Sequence, residues 1–311
     1  MAKHYQGSPV TTTTDQHFIP EIWADGIYKY FERKTVFRGL VDDYSALVGS
    51  KGYGDAINIP EMSLISASDK SAGSDVSYDA TATTTTQLAI NKHKYVAKLF
   101  EDVALIQSEA DLVAKYSRMM GEALARQVDA DIWAELDGLN QSQALSADDT
   151  LTATVFESAL ATLGENDIPY MDGECAMVVN PTLFADILNP SAGIAQYFIR
   201  NDAVGEGNRG LRSGMVGSLY GIDVYMSNTI STAGTSSTIP GAIFHKSACA
   251  FASQQEVRVQ SEYSVDALGT KVVSDLLYGV KIIDDSDNKR GVKFTNVDLS
   301  LIHISEPTRP Y

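Results

Sequence analysis

Of the 311 residues, 44% are hydrophobic and 21% charged, the balance of a folding globular chain and too apolar for a disordered one. Forty acidic residues against 24 basic ones leave a formal charge of −16, and such a surface repels phosphate, which argues against bulk nucleic-acid or anionic-membrane binding. No run approaches the ~18 consecutive apolar residues of a spanning helix, the opening residues do not read as a secretory leader, and Cys175 and Cys249 form neither a CxxC pair nor a disulfide framework, as expected of a chain made in a reducing compartment.

A chain of this length predicts about two domains. Residues 1–20 are polar, include Thr11 to Thr14 and lack periodicity, so they read as an extended arm. After Pro20, Ile22, Trp23, Ile27, Tyr30 and Phe31 fall near helical spacing, with an acid early and bases late, which predicts a helix of about 12 residues. From 52 to 98 the pattern becomes strand-like in three pieces: Asp55 to Pro60, Asp75 to Asp79, and Gln87 to Ala97. Ser66 to Gly73 supplies the turn, and Thr83 to Thr86 are strand formers. The segment reads as a long two-stranded ribbon with too little core to stand alone, so it is predicted to lie on a partner.

Ser108-Glu-Ala-Asp111 resembles a capping box opening a helix. Leu112, Tyr116, Met120, Ala123, Leu124, Val128, Ile132 and Leu136 then keep helical spacing as far as Asp137-Gly138. About 29 residues at ~1.5 Å each make roughly 43 Å of helix. Met119, Met120 and Trp133 are read as core. Residues 139–150 form a polar linker. Thr154 is read as the cap of a helix through Phe156, Ala159, Leu160 and Leu163 that stops at Gly164. Cys175 to Val179 is continuously apolar, as in a strand buried on both faces, and Pro181 starts another helix. A Gly-rich stretch, 205–221, leads into an alternating strand from Ile222, completing a small α/β domain. Strand pieces return at Gly241 to His245, Ala248 to Ser253, Glu256 to Gln260, Leu276 to Ile283 and Gly291 to Thr295. They are predicted to pack with the long helix, so that the first domain is interrupted by residues 151–240. The last thirteen residues, 299–311, read as a translated library-preparation adapter and are set aside; one acid, Glu306, and one base, Arg309, go with them, so the charge is unchanged.

The search for chemistry assigns no catalytic residue, cofactor or metal ligand. Val216 stands where the first glycine of a GxSxG elbow around Ser218 belongs. Gly205-Glu-Gly207 places an acid where a phosphate would sit. Asp284-Asp-Ser-Asp-Asn288 offers three calcium-loop ligands, but Lys289 occupies the glycine position, and the segment reads as an acidic hairpin turn. His93 and His245 lack an i, i+4 partner or a nearby cysteine and read as surface or satisfied core residues. Lys92-His-Lys94 with Lys98 forms a basic cluster near a ribbon carrying Asp69, Asp75 and Asp79. This is a solvated face or, in the sharper reading, charge complementarity between the ribbon of one copy and the body of another. Asp69, Lys70, Asp75, Asp79, Lys92 and Lys94 are the candidate intersubunit residues.

Several phrases, in order, resemble one family: Phe18-Ile-Pro-Glu-Ile-Trp, Asp55-Ala-Ile-Asn-Ile-Pro, Ile90-Asn-Lys-His-Lys-Tyr, Val179-Asn-Pro, and Gly214-Met-Val-Gly-Ser-Leu-Tyr-Gly-Ile-Asp-Val-Tyr-Met-Ser-Asn228. The chain resembles the major capsid (coat) protein of tailed bacteriophages, whose shell fold is shared with herpesviruses, over almost all of residues 15–297. The resemblance implies an α+β major capsid fold with an N-terminal arm and first helix (1–51), an extended β-hairpin loop (52–98), and a peripheral-domain segment with the spine helix (99–150). An inserted α/β axial domain (151–240) and the peripheral domain's return strands (241–298) complete it. It also implies a non-enzymatic, cofactor-free protein that self-assembles as hexamers and pentamers into an icosahedral head enclosing double-stranded DNA without sequence-specific contacts. Scaffolding and portal proteins are the implied partners, no membrane is involved, and the location is the virion after assembly in the host cytoplasm. Some family members cross-link a ribbon lysine to a neighbouring asparagine; Lys70 lies near the ribbon tip, but no partner is identifiable. The alternatives are an encapsulin-type nanocompartment shell and, from another class, an acidic α/β hydrolase.

Overall fold

The computed structural model of the chain describes residues 27, 35–49, 54–62, 67–73, 75, 76, 78, 83–102, 112–146, 149–170, 172–189, 193–200, 215–231, 239–283 and 289–296. The arm, the capping box at 108–111, the Gly205-Glu-Gly207 and Asp284 to Asn288 segments and the adapter lie outside the described residues, as does all of the first helix except Ile27. The chain divides into two compact units, one comprising residues up to Ile132 with Ala250–Lys281, the other Trp133–Cys249 with residues from Ile282 onward.

The first unit contains a four-stranded sheet in the order β1 (Asp42–Asp43), β11 (Cys249–Ser264), β12 (Gly269–Ile282) and β4 (Lys92–Glu101). β4 runs antiparallel to β12, from Glu101 opposite Gly269 to Lys92 opposite Tyr278. Period-2 patterning decides the inner face, where Phe100 and Val272 pack with Ile27 and with Met120 of the long helix α2 (Leu112–Leu136). Val96, Tyr116, Val257 and Val259 surround them, and Phe100 meets Tyr116 edge to face at 5.0 Å. Met120 and Tyr116 are one helical turn apart, which is why both reach the same strand. Along α2, Met120, Leu124, Val128, Ile132, Trp133 and Leu136 are buried, as their spacing predicts, whereas Met119 is 60% exposed. Met119 lies one residue, or ~100°, off the buried stripe, and the core reading fails for it on that ground. The first unit also holds a short helix, α1 (Ser45–Gly49), and a separate antiparallel ribbon of β2 (Ala56–Met62) and β3 (Thr83–Ala89).

The second unit is built on a seven-stranded mixed sheet in the order β5 (Ser142–Ala144), β13 (Gly291–Thr295), β10 (Gly241–His245), β6 (Cys175–Val179), β9 (Ile222–Met226), β8 (Met215–Leu219) and β7 (Phe198–Arg200). All five β6 residues are buried between β10 and β9. Cys175, Met177 and Val179 share one face and pack against Phe156, Ala159 and Leu163 of α3 (Ala153–Glu165) and Leu183 and Ile187 of α4 (Pro181–Leu188). Asn180 caps α4 by accepting the Leu183 N–H at 2.8 Å, with Pro181 in the first turn where a missing donor costs nothing.

Three sequence expectations are corrected here. The insertion into the first unit is wider than residues 151–240, because Gly241–His245 and Gly291–Thr295 are ladder partners of each other and β10 pairs with β6. Only Ala250–Lys281 returns to the first unit. The cap of α3 is Thr152, in extended conformation, and Gly164 lies within the last turn instead of ending the helix. Residues 215–219 are a strand, hairpinned to β9 through Tyr220 (φ 52°) and Gly221 (φ 85°), the paired positive φ values of a tight two-residue turn. Gly217 hid this strand, since it sits at a register shift in the ladder.

Candidate functional site

The ribbon is anchored at its base and open at its end. β2 and β3 pair from Ala56 opposite Ala89 to Met62 opposite Thr83, and Ile59, Leu88 and Ile90 are buried. Ile90 N–H donates to the Asp55 carbonyl at 2.7 Å. Gly279 of β12 lies so close beneath Ala89 that a Cβ on it would collide with the Ala89 carbonyl, so glycine is what admits the ribbon's backbone there. Beyond the paired strands the character reverses. Asp69, Lys70 and Asp75 are exposed, and so are Val76 at 56% and Tyr78 at 93%. Asp79 lies outside the described residues. The sequence reading took Gln87 to Ala97 as one strand; the structure breaks it at Ile90-Asn91, assigning Gln87 to Ala89 to the ribbon and β4 to the four-stranded sheet.

The basic cluster is divided by the strand period. Lys92 and Lys94 point to one side, where both ammonium groups approach Asp131 Oδ2 of α2, at 4.0 and 3.4 Å, and the Tyr278 hydroxyl donates to the same oxygen at 2.7 Å. Burial, reinforced by Asp131, pushes the Tyr278 phenol well above its usual range. His93 points to the other side and reaches the buried Asp275 at 3.0 Å. Arg258 grips Asp275 with two prongs, and Gln255 donates to it at 2.9 Å. Burial alone would raise the Asp275 pKa; Arg258, His93 and Gln255 outweigh it and hold the carboxyl at about 2. The exposed ribbon acids and the two half-buried lysines are therefore not brought together within one chain.

Sequence reasoning missed two sites. Asp129 is buried in α2 and accepts the N–H groups of Val36 and Phe37, both at 3.1 Å. Burial raises its pKa to about 7, against the pull of those two donors. No signal in the helix pattern marks it, because its partners are 92 and 93 residues away. His245 converges with Asp172 and Glu174 in the second unit. The neighbouring Cys175 is an inert buried thiol, pushed up to about 12 by burial and by the charges of Asp172 and Glu174.

Among the described residues neither unit brings together a nucleophile, a base and an orienting group, and the ribbon exposes Val76 and Tyr78. The sequence profile of the family described as phage capsid protein matches residues 83–293, more than half of the chain. The chain belongs to the phage capsid protein family. The fold agrees. A structure from Mycobacterium phage Che8 aligns with 84% of this chain and 90% of its own at 26% identity and a TM-score of 0.62. The capsid of Ralstonia phage GP4 aligns with 84% of this chain and 88% of its own, at 14% identity and a TM-score of 0.63. The virus-like particle from Pyrococcus furiosus aligns with 90% of this chain and 99% of its own, at 11% identity and a TM-score of 0.56. No curated protein sequence matches the chain. This phage capsid protein is a structural, non-enzymatic shell component of the virion that associates with copies of itself, and the hydrolase alternative falls away.

Proposed function

We propose that this capsid protein assembles as hexameric and pentameric rings into the icosahedral head of a tailed phage, enclosing double-stranded DNA without reading its sequence. The observation that carries this reading is the ribbon: buried at Ile59, Leu88 and Ile90, yet exposing Val76 and Tyr78 at its far end. A limb of this kind recovers the entropy of its ordering only by burying that end on a neighbour. In this reading residues 52–91 are the extended loop, α2 with the four-stranded sheet is the spine helix and peripheral domain, the second unit is the axial domain, and residues 1–41 are the arm and first helix. Asp69, Lys70, Asp75 and Asp79 of the ribbon meet the body of a neighbouring copy. Lys92 and Lys94, which already share Asp131, contribute positive surroundings more than direct pairs. The formal charge of −16 suits a wall against which packaged DNA does not stick. Scaffolding and portal proteins are the proposed assembly partners in the host cytoplasm.

Electron microscopy of particles made by the full chain, with nuclease-protected DNA from infected cells as a second readout, tests the proposal. Closed spherical shells holding protected DNA are expected. Shells that carry protein cargo and no DNA would transfer the chain to the nanocompartment reading, and a monodisperse monomer under all assembly conditions would defeat both.

A further inference from the structure

We propose that the solvent-facing stripe of α2, carrying Lys115, Arg118, Met119 and Arg126, is the surface on which the acidic end of a neighbouring copy's ribbon docks. The pairing rests on the assembly proposed above and names the part of the body that the ribbon meets.

Helical period sets the stripe. Met120, Leu124 and Val128 are buried, which leaves Lys115, Arg118, Met119, Ala123 and Arg126 exposed on the other side. They recur three or four residues apart and so form one continuous strip, roughly 16 Å long from Lys115 to Arg126. Glu122 is the single acid between residues 115 and 126. It lies 3.0 Å from Arg118 Nε, yet the Arg118 side chain remains 58% exposed. Among the described residues no carboxylate pairs with Lys115 or Arg126. Three cations against one acid make this strip locally positive in a chain of net charge −16.

The ribbon end is its counterpart. Residues 67–79 hold three acids, Asp69, Asp75 and Asp79, against one base, Lys70. Asp69 and Asp75 are exposed, as are Val76 at 56% and Tyr78 at 93%. Both surfaces therefore combine charge with uncovered apolar area, since Met119 is 60% exposed one turn before Ala123. An unbranched methionine adapts its shape to a partner, and a tyrosine ring accepts a guanidinium against its face.

Other cations of the first unit are already engaged. Lys92 and Lys94 both approach Asp131, and Arg258 and His93 are held by Asp275. A nucleic-acid backbone would use the cations of α2 alone, meeting Glu122 and gaining nothing from Met119, whereas the ribbon end brings carboxylates and apolar side chains together. Copies that repel one another through their net charge need a region of opposite sign to steer their approach and set the register of contact.

The test is cross-linking of shells assembled from an equal mixture of unlabelled and heavy-nitrogen-labelled full-length chains, with a carbodiimide that joins a carboxylate to a lysine amine without a spacer. Mixed-label peptides joining Lys115 to Asp69 or Asp75 are expected. Shells whose ribbon acids join lysines outside α2 only, or none, would overturn the docking and leave the shell reading intact; a chain that never forms shells would overturn both. Lys115→Glu with Arg126→Glu, at exposed positions, should leave the melting temperature of the unassembled chain unchanged and lower particle yield about 10-fold. Adding Asp69→Lys and Asp75→Lys should restore the yield. Undiminished yield from the helix variant, or no recovery in the combined one, would overturn the docking, and full yield of shells with less nuclease-protected DNA would give the strip to nucleic acid instead.

Discussion

Arg258 and Asp275 face each other across β11 and β12 as a two-pronged ion pair, Nε to Oδ1 at 3.1 Å and Nη2 to Oδ2 at 2.7 Å. The carboxyl is buried and, with its pKa near 2 against the usual 3.8, binds protons more weakly in the folded chain than in the unfolded one. Its contribution to stability is therefore present above pH 4 and lost as pH falls toward 2. Calorimetry across that window should show a melting temperature that falls with pH in the wild type and falls less in Asp275→Asn. Parallel slopes would show that the pair is energetically silent. Arg258→Ala at pH 7 leaves the buried carboxylate without its main partner and should lower the melting temperature.

Asp129 has the opposite sign. With a folded pKa of about 7, it keeps a proton that the unfolded chain releases near pH 4, so stability declines as pH rises from about 4 to 7 and levels off above. Asp129→Asn should flatten that decline in melting curves taken at pH 5 and pH 8. Asp129→Ala removes the acceptor of the Val36 and Phe37 N–H groups and should cost about 1–3 kcal/mol. If Asp129→Ala matched the wild type in urea unfolding, the residue would not be fastening residues 36 and 37 to α2.

Gly279 is the point where the ribbon's base meets the sheet. Gly279→Ala places a methyl group against the Ala89 carbonyl, and overpacking of this kind costs about 1–3 kcal/mol. Hydrogen exchange should report the damage locally, with faster exchange at Leu88 and Ile90 than at Met177 or Val178 in the second unit.

Val76 and Tyr78 separate folding from assembly. Because both are exposed, Val76→Ser with Tyr78→Ser should leave the melting temperature of the unassembled chain within the range of ordinary surface changes, about 0.5 kcal/mol. The same double variant should lower particle yield sharply in sedimentation and microscopy. Normal particles from it would remove the ribbon tip from the intersubunit contact.

The long helix, the doubly buried strand Cys175–Val179 and the Asn180-Pro181 helix start were legible because each is specified by a local period or cap: 3.6 for α2, continuous burial for β6, a fixed φ for Pro181. Strand partners were not legible. Gly241–His245 is the same short apolar segment whether it joins the first sheet or the second, and only its ladder with β6 and β13 decides. The lysines were visible as a cluster, but the side to which each points depends on where the strand begins, one residue after the break at Asn91.

Sequence alone thus determined the repertoire: which segments are helical or extended, that a ribbon exists with acids near its end, and that the chain carries a large negative charge. Tertiary structure decided the pairings across distance, joining Asp129 to Val36, Asp275 to Arg258, and His245 to Asp172 and Glu174. The physical reason is that local preference acts over a few residues, whereas burial and hydrogen-bond satisfaction are settled between side chains that meet only after the sheets have formed.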